Sequence, residues 1–115
     1  MARTALPVLP DRERGTCTPI ETRLGPEKAE HLSDLLKILS DPTRLQIVVA
    51  LRDAGDSVCV CDCTSAFGLS QPTVSHHLAR LRDAGILDVT RKGGWGYYNL
   101  RRDLPAATRR LIDAL

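Results

Sequence analysis

Apolar side chains recur every three or four residues between positions 29 and 39, which is the period of an α-helix with one buried face. The residues in this first stretch are Ala29, Leu32, Leu35, Leu36 and Leu39. A second helix is predicted from Pro42 to Arg52, because Asp41 is a typical N-cap and proline is tolerated at the first helical position. Gly55 is placed to end this helix.

The next two apolar stretches differ in length and are separated by a glycine. A short third helix is indicated by Val60, Cys63, Thr64 and Phe67, which share one side. Gly68 predicts a tight turn, after which Ser70 can cap a fourth helix that ends near Gly85. Val74, Leu78 and Leu81 should face the core from this longer helix. A short helix, a glycine turn and a longer helix are typical of a helix-turn-helix.

The pattern then changes from helical spacing to alternation around a pair of glycines. Gly93–Gly94 suits the two-residue turn of a β-hairpin. That register pairs Val89 with Tyr98 and Leu87 with Leu100, all on one face. Because turn chemistry and face alternation agree, two strands are predicted here.

A last helix returns to helical spacing, with Asp103 as its expected cap. Its apolar side carries Leu104, Thr108, Leu111, Ile112 and Leu115. The predicted order is therefore ααααββα, a mainly α winged helix-turn-helix with a hairpin wing. The first and last helices carry more leucine and isoleucine than one small domain needs, which predicts a homodimer through these two helices.

The chain ahead of the first helix lacks any periodic apolar pattern and contains four prolines up to position 26. We expect residues 1–26 to form a mobile arm that carries Cys17, followed by one domain over residues 27–115. No apolar run approaches the roughly 20 residues that span a bilayer, and positions 1–10 lack the apolar core of a signal peptide. A cytoplasmic location is the resulting expectation.

Charge is distributed unevenly along the 115 residues, whose net charge is only +2. From position 70 to position 102 there are six basic and two acidic side chains, a local net charge of +4. A protein that binds double-stranded DNA needs an excess of positive charge on the surface that faces the phosphates. The partner indicated is double-stranded DNA with a near-palindromic operator, because a two-fold dimer reads two related half-sites.

Polar side chains on the outward face of the fourth helix can reach base edges in a major groove. The predicted DNA-binding residues are Gln71, Thr73, Ser75, His76 and Arg80 on the helix, together with Arg91 and Lys92 at the wing tip. Gln71 suits adenine, whereas the basic side chains suit phosphate. His77 lies close to the apolar face and is expected to be structural.

Three cysteines within five residues precede this unit, namely Cys59, Cys61 and Cys63. Thiolates select soft ions such as zinc, cadmium and lead, and trivalent arsenic and antimony favour three sulfurs. Cys59 and Cys61 are predicted ligands if the first lies just before the third helix and the second in its first turn. Cys63 falls on the apolar side, so either ligation or simple core packing is open to it.

Cys17 can complete the ligand set. About nine residues separate it from Pro26, and an extended chain spans about 3.3 Å per residue, so the arm reaches about 30 Å. The geometry that we favour joins Cys17 of one protomer to Cys59 and Cys61 of its partner. An idle thiol in a loose tail is the alternative.

The motifs in residues 27–115 resemble those of the ArsR/SmtB family of metal- and metalloid-responsive repressors. They are Leu39–Arg44 opening the second helix, Cys59–Asp62 opening the third, Ser70–Leu78 as recognition helix, Ala84–Leu87 leading into the wing and Trp95–Tyr98 returning from it. The resemblance implies a dimer that blocks a promoter and leaves when an inducer binds. Cys59–Asp62 is similar to the motif of the arsenic, antimony and cadmium/lead branches, in some of which an arm cysteine joins the site. Members usually carry an aliphatic residue at the position of Cys63.

The function predicted is a non-enzymatic repressor released from its operator by As(III) or Sb(III) bound to cysteine thiolates. A Cd(II)/Pb(II) sensor and a thiol-based redox or persulfide sensor are the alternatives within this class. A thiol oxidoreductase would leave the helix-turn-helix unused, and the chain lacks a Cys-x-x-Cys in a βαβ setting. A structural zinc protein that docks a protein partner is the remaining class.

Overall fold

The computed structural model describes residues 15–115 and shows five helices and three strands in that range. In chain order they are α1 (Pro26–Leu39), α2 (Pro42–Ala54), β1 (Val58–Cys59), α3 (Val60–Phe67), α4 (Gln71–Asp83), β2 (Leu87–Lys92), β3 (Trp95–Leu100) and α5 (Ala106–Asp113). The winged helix-turn-helix prediction is confirmed, with one strand more than the sequence indicated.

Local side-chain chemistry sets the boundaries of α2. Asp41 is its N-cap, and the carboxylate Oδ1 accepts a hydrogen bond from the backbone N–H of Arg44 at 2.9 Å. Pro42 occupies the first turn, where its missing N–H costs nothing. Gly55 ends the helix with a φ of 64°, a left-handed conformation that glycine adopts without strain. Both predicted signals are confirmed.

The helix-turn-helix consists of α3 and α4, joined by the turn that begins at Gly68. Ser70 caps α4 and its hydroxyl accepts from the backbone N–H of Thr73 at 3.4 Å. The three residues predicted to face inward, Val74, Leu78 and Leu81, are each 0% exposed. The recognition helix is therefore held by its apolar face against the core.

The sheet contains the predicted hairpin and a strand that the sequence did not reveal. β2 and β3 pair antiparallel, with Val89 opposite Tyr98 and Leu87 opposite Leu100 as predicted. On the other edge of β3 lies β1, so the strand order is β1-β3-β2. β1 has two residues, which is too short for an alternation of apolar and polar positions to be recognised.

The core is aliphatic and draws on every helix and all three strands. Its fully buried large side chains are Ile47, Val48, Val74, Leu78, Leu81, Ile86, Leu87 and Ile112. The predicted inward side of the last helix is confirmed at Thr108 and Ile112, which are 3% and 0% exposed. With a single phenylalanine in the chain, aliphatic packing against the sheet holds the helices in place.

The predicted cap of α5 is wrong. Asp103 lies before Pro105, which is the N-cap residue, and makes no capping hydrogen bond. Its carboxylate instead accepts two hydrogen bonds from the Arg101 guanidinium, both at 2.9 Å, and this pairing holds the pKa of Asp103 below its usual value. An arginine two residues away competes better for the carboxylate than the helix amides do.

Residues 15–25 of the predicted arm contain neither helix nor strand and are exposed throughout, whereas residues 1–14 lie outside the described part. Apolar side chains remain uncovered on this segment and on the first helix, among them Leu24 and Leu36, which are 45% and 52% exposed. Leu115, after α5, is 43% exposed. Dimerisation through the first and last helices would cover such side chains, and it stays a prediction.

Within residues 15–115, none of the helices has both the length and the apolarity needed to cross a bilayer.

The Asp41 cap gives a prediction about stability and pH. Asp41→Ala should lower the free energy of unfolding at neutral pH, because the Arg44 N–H loses its acceptor. This hydrogen bond holds the pKa of the Asp41 carboxyl below its usual 3.8. The charged cap therefore stabilises the fold above the unfolded-state pKa, and its contribution is lost as pH falls through the lowered pKa.

Urea unfolding at neutral pH and at about pH 3 measures this effect. The advantage of the wild type over Asp41→Ala should shrink at the lower pH. Asp41→Asn is the matched control, since its amide oxygen caps without titrating, and its advantage over alanine should not change with pH. If the stability advantage of Asp41→Asn over Asp41→Ala shrank at low pH as much as that of the wild type, the assignment of the cap would be contradicted.

Candidate thiol site and nucleic-acid interface

The outward face of α4 presents the polar side chains predicted to read DNA. Gln71, Thr73, His76 and Arg80 are exposed and Ser75 is half-buried. The Gln71 side-chain amide donates to the Ser75 hydroxyl at 3.2 Å, and the Ser70 and Thr73 hydroxyls are 2.8 Å apart. These short contacts order the N-terminal turn of α4, which is the part of a recognition helix that approaches base edges.

His77 is placed differently from His76 and is held by the second helix. Its Nδ1 lies 3.3 Å from Nη1 of Arg44, whose Nε donates to the backbone carbonyl of Ile38 at 2.8 Å. Arg44 therefore links the end of α1 to the recognition helix. For Nδ1 to accept this bond the imidazole proton must lie on Nε2. The contact supports the structural role expected for His77.

The wing projects Arg91 and Lys92 into solvent beside an aromatic side chain. Lys92 is opposite Trp95 and Arg91 is opposite Gly96 in the hairpin register. Trp95 is 59% exposed, although it is a large apolar residue. The exposure of Trp95 could not be predicted from the sequence, because no periodicity distinguishes an exposed wing tryptophan from a core one.

The thiol site forms where the sheet ends and the helix-turn-helix begins. Cys59 is the last residue of β1 and also the N-cap of α3, and Cys61 lies in the first turn of that helix. Their Sγ atoms are in disulfide contact, with the Cα atoms 5.4 Å apart. The two predicted ligands thus converge on one point.

Asp62 joins this group, which the sequence analysis did not foresee. One carboxylate oxygen of Asp62 lies within 4.8 Å of both sulfurs. The carboxylate also accepts a hydrogen bond from the backbone N–H of Cys59 at 2.9 Å, which fixes the start of α3. Cys59 is buried, whereas Cys61 and Asp62 are exposed. The site is therefore open on one side, as a site that captures a ligand from solution must be.

The donor set fits a soft, thiophilic guest. Two sulfurs lie together at the N-terminus of α3, and sulfur ligands select soft ions. Hard cations such as Mg²⁺ and Ca²⁺ prefer sites made of oxygen ligands. A guest that takes three sulfurs needs one more thiol than this pair provides.

Cys63 is not brought into the group. It is 6% exposed and belongs to the hydrophobic core, one turn further along α3. Burial, and to a lesser degree the negative charge of Asp62, raise the pKa of the Cys63 thiol. A buried thiol with a raised pKa stays protonated at neutral pH, and the protonated form is a poor metal ligand.

Cys17 is exposed and lies nine residues before α1, outside the group that Cys59 and Cys61 form within one chain. The contact of Cys17 with a partner protomer stays a prediction.

Comparisons with known proteins agree with this geometry. The sequence profile described as "Bacterial regulatory protein, arsR family" matches residues 41–89, which run from the cap of α2 into the wing. The arsenical resistance operon repressor of Escherichia coli is 46% identical over 79 residues, covering 69% of this chain and 67% of that protein. The arsenic resistance transcriptional regulator ArsR1 of Pseudomonas putida is 43% identical over 84 residues, covering 70% of this chain and 65% of that protein.

A solved structure extends the likeness to three dimensions. The crystal structure of the AntR antimony-specific transcriptional repressor superposes with a TM-score of 0.68 at 27% identity, covering 86% of this chain and 90% of the other. The helix-turn-helix, the wing and these relatives point to one family of transcriptional regulators, which are not enzymes. The chain belongs to the ArsR family of bacterial regulatory proteins.

Proposed function

We propose that the protein is a homodimeric repressor that leaves its operator when As(III) or Sb(III) binds the thiolates of Cys59 and Cys61. The observation that carries the proposal is the convergence of these two sulfurs at the N-cap and first turn of α3. The names of the relatives, two of them arsenic-related and one antimony-specific, support the choice of guest.

Cys17 supplies the third sulfur in this proposal. Trivalent arsenic and antimony take three thiolates in a pyramid, and within residues 15–115 of one chain two sulfurs, those of Cys59 and Cys61, lie together. The arm of one protomer reaches the Cys59–Cys61 pair of its partner, so the complete site exists only in the dimer. Cys63 stays in the core and contributes packing instead of ligation.

In this proposal both α4 and the wing contact DNA. Gln71, Thr73, Ser75 and His76 on α4 face base edges in the major groove, and Arg80 contacts phosphate. Arg91 and Lys92 hold the neighbouring backbone from the wing. Two copies related by a two-fold axis then read two half-sites of a near-palindrome.

Release from DNA requires only a modest coupling free energy between the thiol site and the DNA-binding surface. A 100-fold loss of DNA affinity corresponds to about 2.7 kcal/mol, which is within the usual range for allostery. Ligation holds Cys59 and Cys61 in one geometry at the start of α3. Because α3 packs on α4 within the helix-turn-helix, a small reorientation of α3 changes how the recognition helix meets the groove.

The first prediction here concerns the cysteines. A gel-shift titration with arsenite should release the wild type from its own upstream region, whereas Cys59→Ser and Cys61→Ser should not be released at the same arsenite concentration. Cys17→Ser should need at least about tenfold more arsenite, because one of three sulfurs is lost. Parallel titrations with antimonite, cadmium and lead rank the ions by the concentration that releases the protein from DNA. A site with four sulfurs would favour cadmium and lead over arsenite and antimonite.

The matched control is Cys63→Ala, which removes a thiol of the same type one turn away. It should keep its release by arsenite while its free energy of unfolding falls, because a buried side chain is truncated. Release of a variant with all four cysteines replaced by serine, at the wild-type arsenite concentration, would exclude thiolate sensing altogether.

The second prediction concerns the wing. Lys92→Ala should weaken operator binding about equally for specific and unrelated DNA, because phosphate contacts carry no base information. The slope of log K against log[salt] should become less negative by about 0.9 for each protomer that loses a contact. Fluorescence anisotropy at several salt concentrations measures this slope, and an unchanged slope in Lys92→Ala would contradict the phosphate contact.

A second candidate function follows from the same sulfur pair. Cys59 and Cys61 are close enough to form a disulfide, so oxidation of the two thiols to a disulfide could replace ligation as the signal. Release by a mild oxidant in the absence of arsenite, reversed by dithiothreitol, would favour this candidate. Release by arsenite under fully reducing conditions would favour the metalloid.

A further inference from the structure

We propose that induction also acts through the wing, and that Tyr97 is the positioning residue that links the thiol site to it. This inference rests on the proposed function and adds a second route from the sulfurs to the DNA, alongside the α3–α4 contact. It is carried by the pairing of β1 with β3, which joins the cysteine pair to the hairpin.

Cys59 belongs to two structural units at once. As N-cap it fixes the start of α3, and as the last residue of β1 it pairs directly with Tyr97 of β3. Residues directly opposite each other in an antiparallel pair have Cβ atoms about 4.5–5.5 Å apart on the same face of the sheet. The Cys59 side chain is nearly buried at 9% exposure, whereas Tyr97 is 36% exposed. A shift in the position of Cys59 would therefore displace the side chain of Tyr97 before any other side chain of β3.

β3 passes such a change to the DNA-facing end of the hairpin. It is the central strand, and its pairs with β2 include Arg91 opposite Gly96 and Lys92 opposite Trp95. Tyr97 is therefore only two residues along β3 from the last pair of the hairpin. A two-residue turn ties the strands rigidly, so a tilt of β3 moves both basic side chains together.

The attachment of β1 is short enough to be adjustable. It consists of two residue pairs, Val58 with Tyr98 and Cys59 with Tyr97, and the chain turns into α3 immediately afterwards. Tyr98 is buried and anchors the first pair in the core. The Cys59–Tyr97 pair is the outer one, at the edge of the core, and it is the pair that a guest on Cys59 would alter.

Tyr97→Ala is the variant that separates the two routes. Tyr97 lies opposite Cys59 of β1 and also opposite Thr90 of β2, and losing the pair with Cys59 is expected to change an equilibrium by up to about fivefold. We expect the release ratio, defined as operator affinity without arsenite divided by affinity with arsenite, to fall about threefold to fivefold in Tyr97→Ala. Tyr97→Phe, which keeps the ring, should retain the wild-type ratio.

Asn99→Ala is the matched control. Asn99 lies on β3 two residues beyond Tyr97 and on the same face, but it pairs with Asp88 of β2 and with no residue of β1. Its release ratio should equal that of the wild type. A loss of the same size in Asn99→Ala would indicate general loosening of the strand and would overturn the role of Tyr97.

Trp95 provides a readout that does not depend on DNA. It is the single tryptophan of the chain and lies opposite Lys92 at the wing tip. Arsenite added to the free wild-type dimer should change the emission of Trp95, and the change should be smaller in Tyr97→Ala and absent in Cys59→Ser. Unchanged emission in a wild type that arsenite does release would overturn the wing route even if Tyr97→Ala failed to fold.

The outcomes for the two proposals are distinct. If arsenite does not release the wild type, the proposed function fails and the wing route fails with it. If arsenite releases the wild type and Tyr97→Ala with the same ratio, thiolate sensing stands and the wing route alone is overturned. A reduced ratio in Tyr97→Ala, with normal ratios in Tyr97→Phe and Asn99→Ala, supports it.

Discussion

The position of Cys59 at a junction is the constraint on which the rest of the structure depends. One residue ends β1, caps α3 and contributes a sulfur to the only group of potential soft-metal ligands found among residues 15–115. Strand pairing, helix capping and ligation therefore share one set of backbone atoms. A change in any one of them is mechanically coupled to the other two, which is the property that a ligand-controlled DNA-binding protein requires.

The recognition helix is well placed to respond as a rigid body. Its inner face is fully buried, and Arg44 connects it through His77 to the end of the first helix. Packed cores resist continuous deformation, so small changes at a neighbouring element appear as changes in the orientation of whole helices. The modest coupling needed for release is compatible with a fold that otherwise stays intact.

Much of this architecture could be predicted from the sequence, because its signals are local. The caps at Asp41 and Ser70 and the Gly93–Gly94 turn each act within a few residues, and the hairpin register followed from the turn. β1 could not be found in this way, since two residues carry no alternation and their pairing depends on a strand almost forty positions later. The cap predicted at Asp103 was wrong for a local reason, because the side chain of Arg101, two residues away, binds the carboxylate that would otherwise cap the helix.

The proximity of Cys59 and Cys61 could be predicted from the sequence, but the surroundings of this pair could not. Spacing alone placed Cys59 and Cys61 at the helix start, whereas the burial of Cys63 and the approach of Asp62 depend on how α3 is rotated against the core. The pairing of Cys59 with Tyr97 depends on β1 and was equally hidden. The sequence thus predicts which cysteines lie together, and the fold determines which strands and helices that cysteine pair contacts.

The most direct test of the central claim is the affinity for arsenite measured with and without bound operator, for example by competition with a chromophoric dithiol chelator. Because linkage is reciprocal, operator must weaken arsenite binding by the same factor by which arsenite weakens operator binding. The account predicts two equal factors, each about 100-fold at the upper end of usual allosteric coupling. The same arsenite affinity in the free protein and in the operator complex would contradict it.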